Sequence, residues 1–382
     1  MTYQLYEVKM KQVLRGVLLW CCCLWISNAS AQHVFYGERS VDTSAAALFF
    51  DKDGFPYPDH FISDSSLAAA YGSLFTWFMQ NGSDFIQICA DYQLFPERID
   101  RETIFMLRDS ISARYIRTIN ERSRNFPAVA FYVHGFRKRY TSKGSDVTSA
   151  EEFRLLKANL AGYGKPQPLE IEVYWDGMYD CCFSANRKRN HTLFHLFETA
   201  AVNARAVGVG LRTIISGIET DRIQILSHSL GAQVVASALF NSSECAVPTP
   251  SQSAVSVCML APAISGRSTF QWYHQRMSAC DYTAKDNYSL MIVYNREDFV
   301  LRKKDPKTGI LGPGTKRYGE TSLGCNYHGE AVKLKRYFEK KYPHSVVRLV
   351  DKTTLGKAHS LRYYASGTEL KEVSDFLWEG SR

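Results

Sequence analysis

From about Phe126 onward the chain alternates short apolar runs with longer segments of helical period, and this alternation limits its possible folds more than any other feature. The apolar runs are Ala128–Val133, Leu169–Trp175, Arg222–Leu226, Ser256–Leu260, Leu290–Tyr294 and Ser345–Val350. The helical stretches are Ala150–Ala161, Thr192–Ile215, Leu230–Phe240, Gly329–Lys341 and Glu369–Trp378. Strands joined by helices need crossover connections, and crossovers make neighbouring strands parallel. The expected fold is therefore α/β, with a mainly parallel central sheet and helices on both faces. With 382 residues, 45% of them hydrophobic and 22% charged, the chain can bury such a core.

The residues ahead of this alternation are expected to form two further parts. Residues 1–31 carry Lys9, Lys11 and Arg15, then ten apolar residues from Val17 to Ile26, then Ser27-Asn-Ala-Ser-Ala31. A basic start, a short apolar run and a small-x-small site describe a secretory signal, cut after Ala31. The run is too short to span a bilayer, and no later stretch is long and apolar enough to do so. An exported protein is expected, with an uncleaved signal anchor as the alternative. Residues 32–125 are read as an N-terminal extension packed on the 126–382 core. Within the extension, Leu67–Met79 and Arg101–Arg122 read as helices, Phe85-Ile-Gln-Ile-Cys89 as a strand, and Asp51–Pro58 as turns.

Of the ten cysteines, Cys21, Cys22 and Cys23 lie in the signal. Export permits disulfides among Cys89, Cys181, Cys182, Cys245, Cys258, Cys280 and Cys325, whose odd number leaves a thiol over. Cys258, inside an apolar run, is expected to be a core thiol. The net charge is +8, but the basic residues fall in short scattered clusters, which are expected to be solvated surface rather than a nucleic-acid site. No phosphate-binding glycine motif occurs. His191 and His195 share a helix face without an evident third ligand, so no metal and no cofactor is expected.

In an open parallel sheet, ligands bind beyond the carboxyl ends of the strands. In chain order these ends carry His134-Gly-Phe136, Asp176-Gly177, Ser227-His-Ser-Leu-Gly231, Ala261-Pro262, Asn295–Asp298, and Thr353–Ser360 with His359. One edge thus gathers a serine, carboxylates and histidines. Acyl transfer needs these types: a serine hydroxyl is a poor nucleophile without a histidine base, and the base needs a carboxylate to fix its tautomer. Ser229 sits where a strand turns into a helix, with small residues, Ser227 and Gly231, two positions to either side. A turn that sharp crowds those two positions. A plain helix cap is the blander reading. The Leu230 N–H, at the start of the helix, is placed to meet a developing oxyanion.

The segments Phe131-Tyr-Val-His-Gly-Phe136, Val173-Tyr-Trp-Asp-Gly177, Ile225-Leu-Ser-His-Ser-Leu-Gly-Ala232 and Ala358-His-Ser-Leu361 resemble the α/β-hydrolase superfamily. Within it they look most like lipase- and esterase-like enzymes with a Val-His-Gly-Phe strand end. The resemblance implies Ser229 as nucleophile, Asp298 as orienting acid and His359 as base, in the superfamily's order. It implies Phe136 N–H as the second oxyanion donor, after His134 and Gly135. Glu297 and, more distantly, Asp176 are the rival acids, and His328 is the rival base. His344 is expected on the opposite edge, and His228 in packing. Ser227 departs from the usual glycine. The implied activity is hydrolysis of a small-molecule or lipid ester without a cofactor. Residues 303–323, rich in Gly, Lys and Thr, are read separately as a long loop over the active edge, a lid or an insertion. A non-catalytic binding protein on the same fold is the alternative.

Overall fold

The computed structural model describes residues 46–60, 62–136, 148–175, 190–240, 253–266, 288–303, 321–341, 345–366 and 369–379. Seven strands form one sheet: β1 (Ala46–Phe50), β2 (Val129–Val133), β3 (Leu169–Trp175), β4 (Arg222–His228), β5 (Ala254–Leu260), β6 (Tyr288–Tyr294) and β7 (Val346–Asp351). Their order is β1-β3-β2-β4-β5-β6-β7, and every pairing is parallel. The central strands β2 and β6 are buried at every residue, as strands covered on both faces must be.

The helices are α1 (Asp64–Ala69), α2 (Leu74–Gln80), α3 (Gly82–Asp91), α4 (Arg101–Ser123), α5 (Ser149–Ala161), α6 (Asn190–Ser216), α7 (Gly231–Leu239), α8 (Glu330–Lys341), α9 (Leu361–Tyr364) and α10 (Glu369–Glu379). Crossovers are right-handed, so the direction in which a connection moves across the sheet decides the face its helix covers. The α5 connection, from β2 to β3, moves one way. The connections through α1–α4, α6, α7 and α8 move the other way. The contacts agree: α6 packs on α7 and α4, whereas α9 and α10 pack on α5.

Helix α5 is seated on β3 through a half-buried polar cluster. Lys157 Nζ lies 2.6 Å from Glu172 Oε1 and 3.7 Å from Glu170 Oε2. The Tyr174 hydroxyl donates to Glu172 and the Tyr132 hydroxyl to Glu170. Burial raises the Glu170 carboxyl, with Lys157 pulling it back down. No helix among the described residues is long and apolar enough to cross a membrane. Cys89, Cys258 and Cys325 are buried, unbridged thiols, Cys258 in the core as expected, while Cys181, Cys182, Cys245 and Cys280 lie outside the described residues.

The extension departs from the sequence reading in three places. Ala46–Phe50 is an edge strand of the sheet itself, paired with β3. Phe85–Cys89 is helical, not a strand: Phe85, Ile88 and Cys89 are buried at a spacing of three and four, while Ile86 points to solvent. The expected helix Leu67–Met79 is two helices. The backbone turns left-handed at Tyr71 and Gly72, and the Ser73 side chain caps α2 by accepting from Thr76 N–H.

A buried carboxyl organises that corner. Asp51, just after β1, is completely buried. Its Oδ1 accepts from the Asp53 and Phe55 amides, at 2.8 Å each, and its Oδ2 from the Leu74 amide at 2.7 Å. It thereby closes the turn after β1 and caps α2. Burial pushes this carboxyl up to about 7, against the three amide bonds that pull it down. The folded state therefore keeps a proton that the unfolded chain has already released. The resulting stabilisation is complete below the ordinary carboxylate range and is lost as pH rises through about 7. Urea unfolding of wild type and Asp51→Asn, at pH about 5 and about 8, is expected to show wild type losing more stability than the variant. An equal loss in both chains would count against the raised carboxyl.

Candidate active site

Adjacent β2 and β4 send their crossovers to opposite faces, which opens a crevice at their carboxyl ends. There Val133 pairs with Ser227, so His134-Gly135 and Ser229 leave the sheet side by side. Ser229 has φ +53°, a left-handed conformation that is strained for a residue with a side chain. The surroundings enforce it. Ser229 N–H donates to Leu260 O at 3.0 Å, and its carbonyl accepts from Ala263 N–H at 2.9 Å. Helix α7 begins two residues later.

Two glycines allow the approach. A Cβ at residue 231 would lie 2.5 Å from His134 O and 2.6 Å from Val133 O, both main-chain atoms that cannot yield. A Cβ at residue 135 would lie 2.8 Å from Ser229 Cβ. Ser227 needs no such space: it is a buried sheet residue between Val133 and Met259, and the turn closes with serine there.

Three side chains far apart in sequence meet at this turn. His359 Nε2 lies 3.0 Å from Ser229 Oγ, and His359 Nδ1 lies 2.8 Å from Asp298 Oδ2. Asp298 is wholly buried; its Oδ1 accepts from the Val300 and Leu301 amides at 2.9 and 3.0 Å. A buried carboxylate held by two amides can accept a hydrogen bond from Nδ1–H, and that tautomer leaves the Nε2 lone pair facing the serine. Tyr364 OH lies 3.5 Å from the same Oδ2, and burial beside Asp298 keeps that phenol protonated. The Cys325 thiol is pushed up to about 12 by burial and by the nearby Asp298 charge, so it does not compete as a nucleophile.

The rivals lie elsewhere. Glu297, next to Asp298, is exposed and pairs with Arg302 at 3.4 Å. His328 sits in a left-handed turn before α8, its ring against Tyr327. His228 packs its ring 5.1 Å from that of His359. Asp176, His344 and residues 304–320 of the expected covering loop lie outside the described residues, as do the side chains of His191 and His195.

The Leu230 and Phe136 amides donate no hydrogen bond within the described residues. Leu230 is buried at the start of α7. Phe136 packs its ring edge-on against Phe197, with 5.6 Å between centroids.

Residues to which the sequence analysis gave no catalytic role hold the His359 loop, His228 among them. Asn295, wholly buried, donates from Nδ2 to Gly356 O at 2.8 Å and Ala358 O at 3.1 Å. His228 Nε2 donates to His359 O at 2.8 Å. Ser360 Oγ donates to Glu152 Oε1, and Asn159 Nδ2 donates to Ala365 O, both from α5. The one legible signal was a short polar residue, Asn295, at the end of a buried strand.

An all-parallel seven-stranded sheet, helices on both faces and a sharp strand-to-helix turn at the switch point define an α/β-hydrolase fold. No protein-family model and no curated protein matches the sequence. Among solved structures the chain is similar to an esterase from Pyrococcus furiosus, with 12% identity and a TM-score of 0.32, over 68% of this chain and 85% of that one. It is also similar to a protein described as a cell surface hydrolase from Lactobacillus plantarum, with 9% identity and a TM-score of 0.31, over 67% and 93% of the two chains.

Proposed function

We propose that this chain is a serine hydrolase that cleaves carboxylic esters through an acyl-enzyme on Ser229. The observation that carries the reading is the continuous chain Ser229 Oγ, His359 Nε2, His359 Nδ1, Asp298 Oδ2, at 3.0 and 2.8 Å, with both ends fixed by the main chain. In this reading Ser229 Oγ attacks the ester carbonyl while His359 takes its proton. The Leu230 and Phe136 amides receive the oxyanion. His359 then protonates the departing alcohol, and water repeats the cycle to release the acid. Asp298 orients His359 and stabilises the imidazolium. The substrate is a small-molecule or lipid ester. Export after cleavage at Ala31 belongs to the same proposal; N-terminal sequencing of the exported chain is its test, with Gln32 as the expected first residue.

The experiment is covalent labelling with a fluorophosphonate, followed by peptide mapping. Modification of Ser229 in the native chain, absent after denaturation, is the expected result. A folded chain that takes no label would turn the reading toward a non-catalytic binding protein.

A further inference from the structure

We propose that His134 is the positioning residue of the oxyanion loop: its ring pins the Gly135–Phe136 peptide so that the Phe136 amide faces the Ser229 site. This rests on the hydrolase reading and extends it to a residue which never touches the substrate.

The His134 ring is buried and bound at both nitrogens. Nε2 lies 3.1 Å from the Trp175 amide nitrogen, and Nδ1 lies 2.8 Å from Gly135 O. An amide N–H only donates, so Nε2 carries the lone pair. A carbonyl only accepts, so Nδ1 carries the proton. One neutral tautomer satisfies both; a proton on Nε2 would set two N–H groups against each other. The ring is also stacked on the Trp175 indole, with 5.5 Å between centroids and 10° between planes. The indole Nε1–H returns a bond to His134 O at 2.9 Å. His134 and the end of β3 thus hold each other at main-chain and ring atoms, which leaves the imidazole no freedom to turn.

The consequence falls on the next peptide. No peptide bond among the described residues is cis, and in a trans peptide the C=O and N–H point in opposite directions. The Gly135 carbonyl is turned back to the His134 ring, so the Phe136 N–H points away from it. That amide has no acceptor among the described residues. Gly135 itself lies against Ser229, close enough that a Cβ there would come within 3.4 Å of Ser229 Oγ. An unrestrained glycine peptide flips readily. A flip here would replace the donor beside Ser229 with a carbonyl oxygen, the wrong end of the dipole for an oxyanion. The His134 Nδ1–H is the group that opposes the flip.

A pair of amide substitutions separates this role from simple structural support. Asn places its amide at the position of imidazole Nδ1, so His134→Asn can keep the bond to Gly135 O and must give up the one from Trp175 N–H. Gln reaches the position of Nε2, so His134→Gln can keep the Trp175 bond and must give up the Gly135 bond. Hydrolysis of a p-nitrophenyl ester and thermal unfolding would be measured for all three chains. The expected result is opposite orders. Gln should lower kcat by about 10² to 10³-fold with KM little changed, the loss typical of one oxyanion donor. Asn should stay within about tenfold of wild type. Unfolding should favour Gln, because Asn strands a buried Trp175 N–H. Active wild type with Gln turning over as fast as Asn, or with kcat following thermal stability in both variants, would overturn the His134 role and leave the hydrolase reading standing. Wild type that neither labels nor hydrolyses would remove both.

Discussion

Ser229→Ala is expected to lower kcat for a p-nitrophenyl ester by about 10⁵-fold, to abolish fluorophosphonate labelling, and to leave thermal unfolding within a few degrees of wild type. The loss is large because no second nucleophile is at hand among the described residues. His359 Nε2 points at Ser229 Oγ, and the Cys325 thiol is buried and held protonated. What survives should be the small rate enhancement that the oxyanion amides and substrate binding give a water molecule. The fold should survive because the left-handed turn is imposed from outside. The Ser229 main chain is held by Leu260 and Ala263, neither of which contacts the hydroxyl through these bonds. Kinetics and calorimetry on the same preparation check both halves. A variant that keeps kcat within tenfold of wild type would show that another group attacks the ester.

Asp298→Asn should cost about 10⁴-fold in kcat, through the wrong histidine tautomer. The direction follows from the two ends of the carboxylate. Oδ1 accepts from two amides, Val300 and Leu301. An asparagine would keep its oxygen there, because its NH₂ facing two N–H donors is far worse. Its NH₂ would then face His359 Nδ1 and oblige that nitrogen to accept. The ring proton would move to Nε2, where it meets Ser229 Oγ and blocks proton transfer. The matched control is Glu297→Gln, one residue earlier. Glu297 is exposed and, among the described residues, its side chain pairs with Arg302, so its loss should leave kcat unchanged. If the two substitutions cost the same, the carboxylate does not act through His359.

Much of the sheet could be read from local pattern. The strands from β2 to β7 are runs of apolar residues long enough to cross a core and bounded by turn residues. The sharp strand-to-helix turn at Ser229 could be read from Ser227, Ser229 and Gly231, because crowding leaves a chemical mark on the residues themselves. The extension was less legible. Ala46–Phe50 has no β-branched residue to announce a strand, and the exposed edge of β3 made it one. Phe85–Cys89 fits alternation and helical period almost equally well. Burial of Phe85, Ile88 and Cys89 together decided for the helix.

The sequence alone determined the alternation of strands and helices, the parallel sheet that follows from it, and the serine at a turn too tight for large neighbours. These are local matters, set by the volume and shape of adjacent residues. Only the tertiary structure decided which carboxylate and which histidine meet Ser229. Asp298 and His359 are 61 residues apart, and His359 and Ser229 are 130 apart. Separations of that length fix no distance. Asp298 and Glu297 are neighbours of like chemistry, and what distinguishes them is that the fold buries one behind His359 and leaves the other in water.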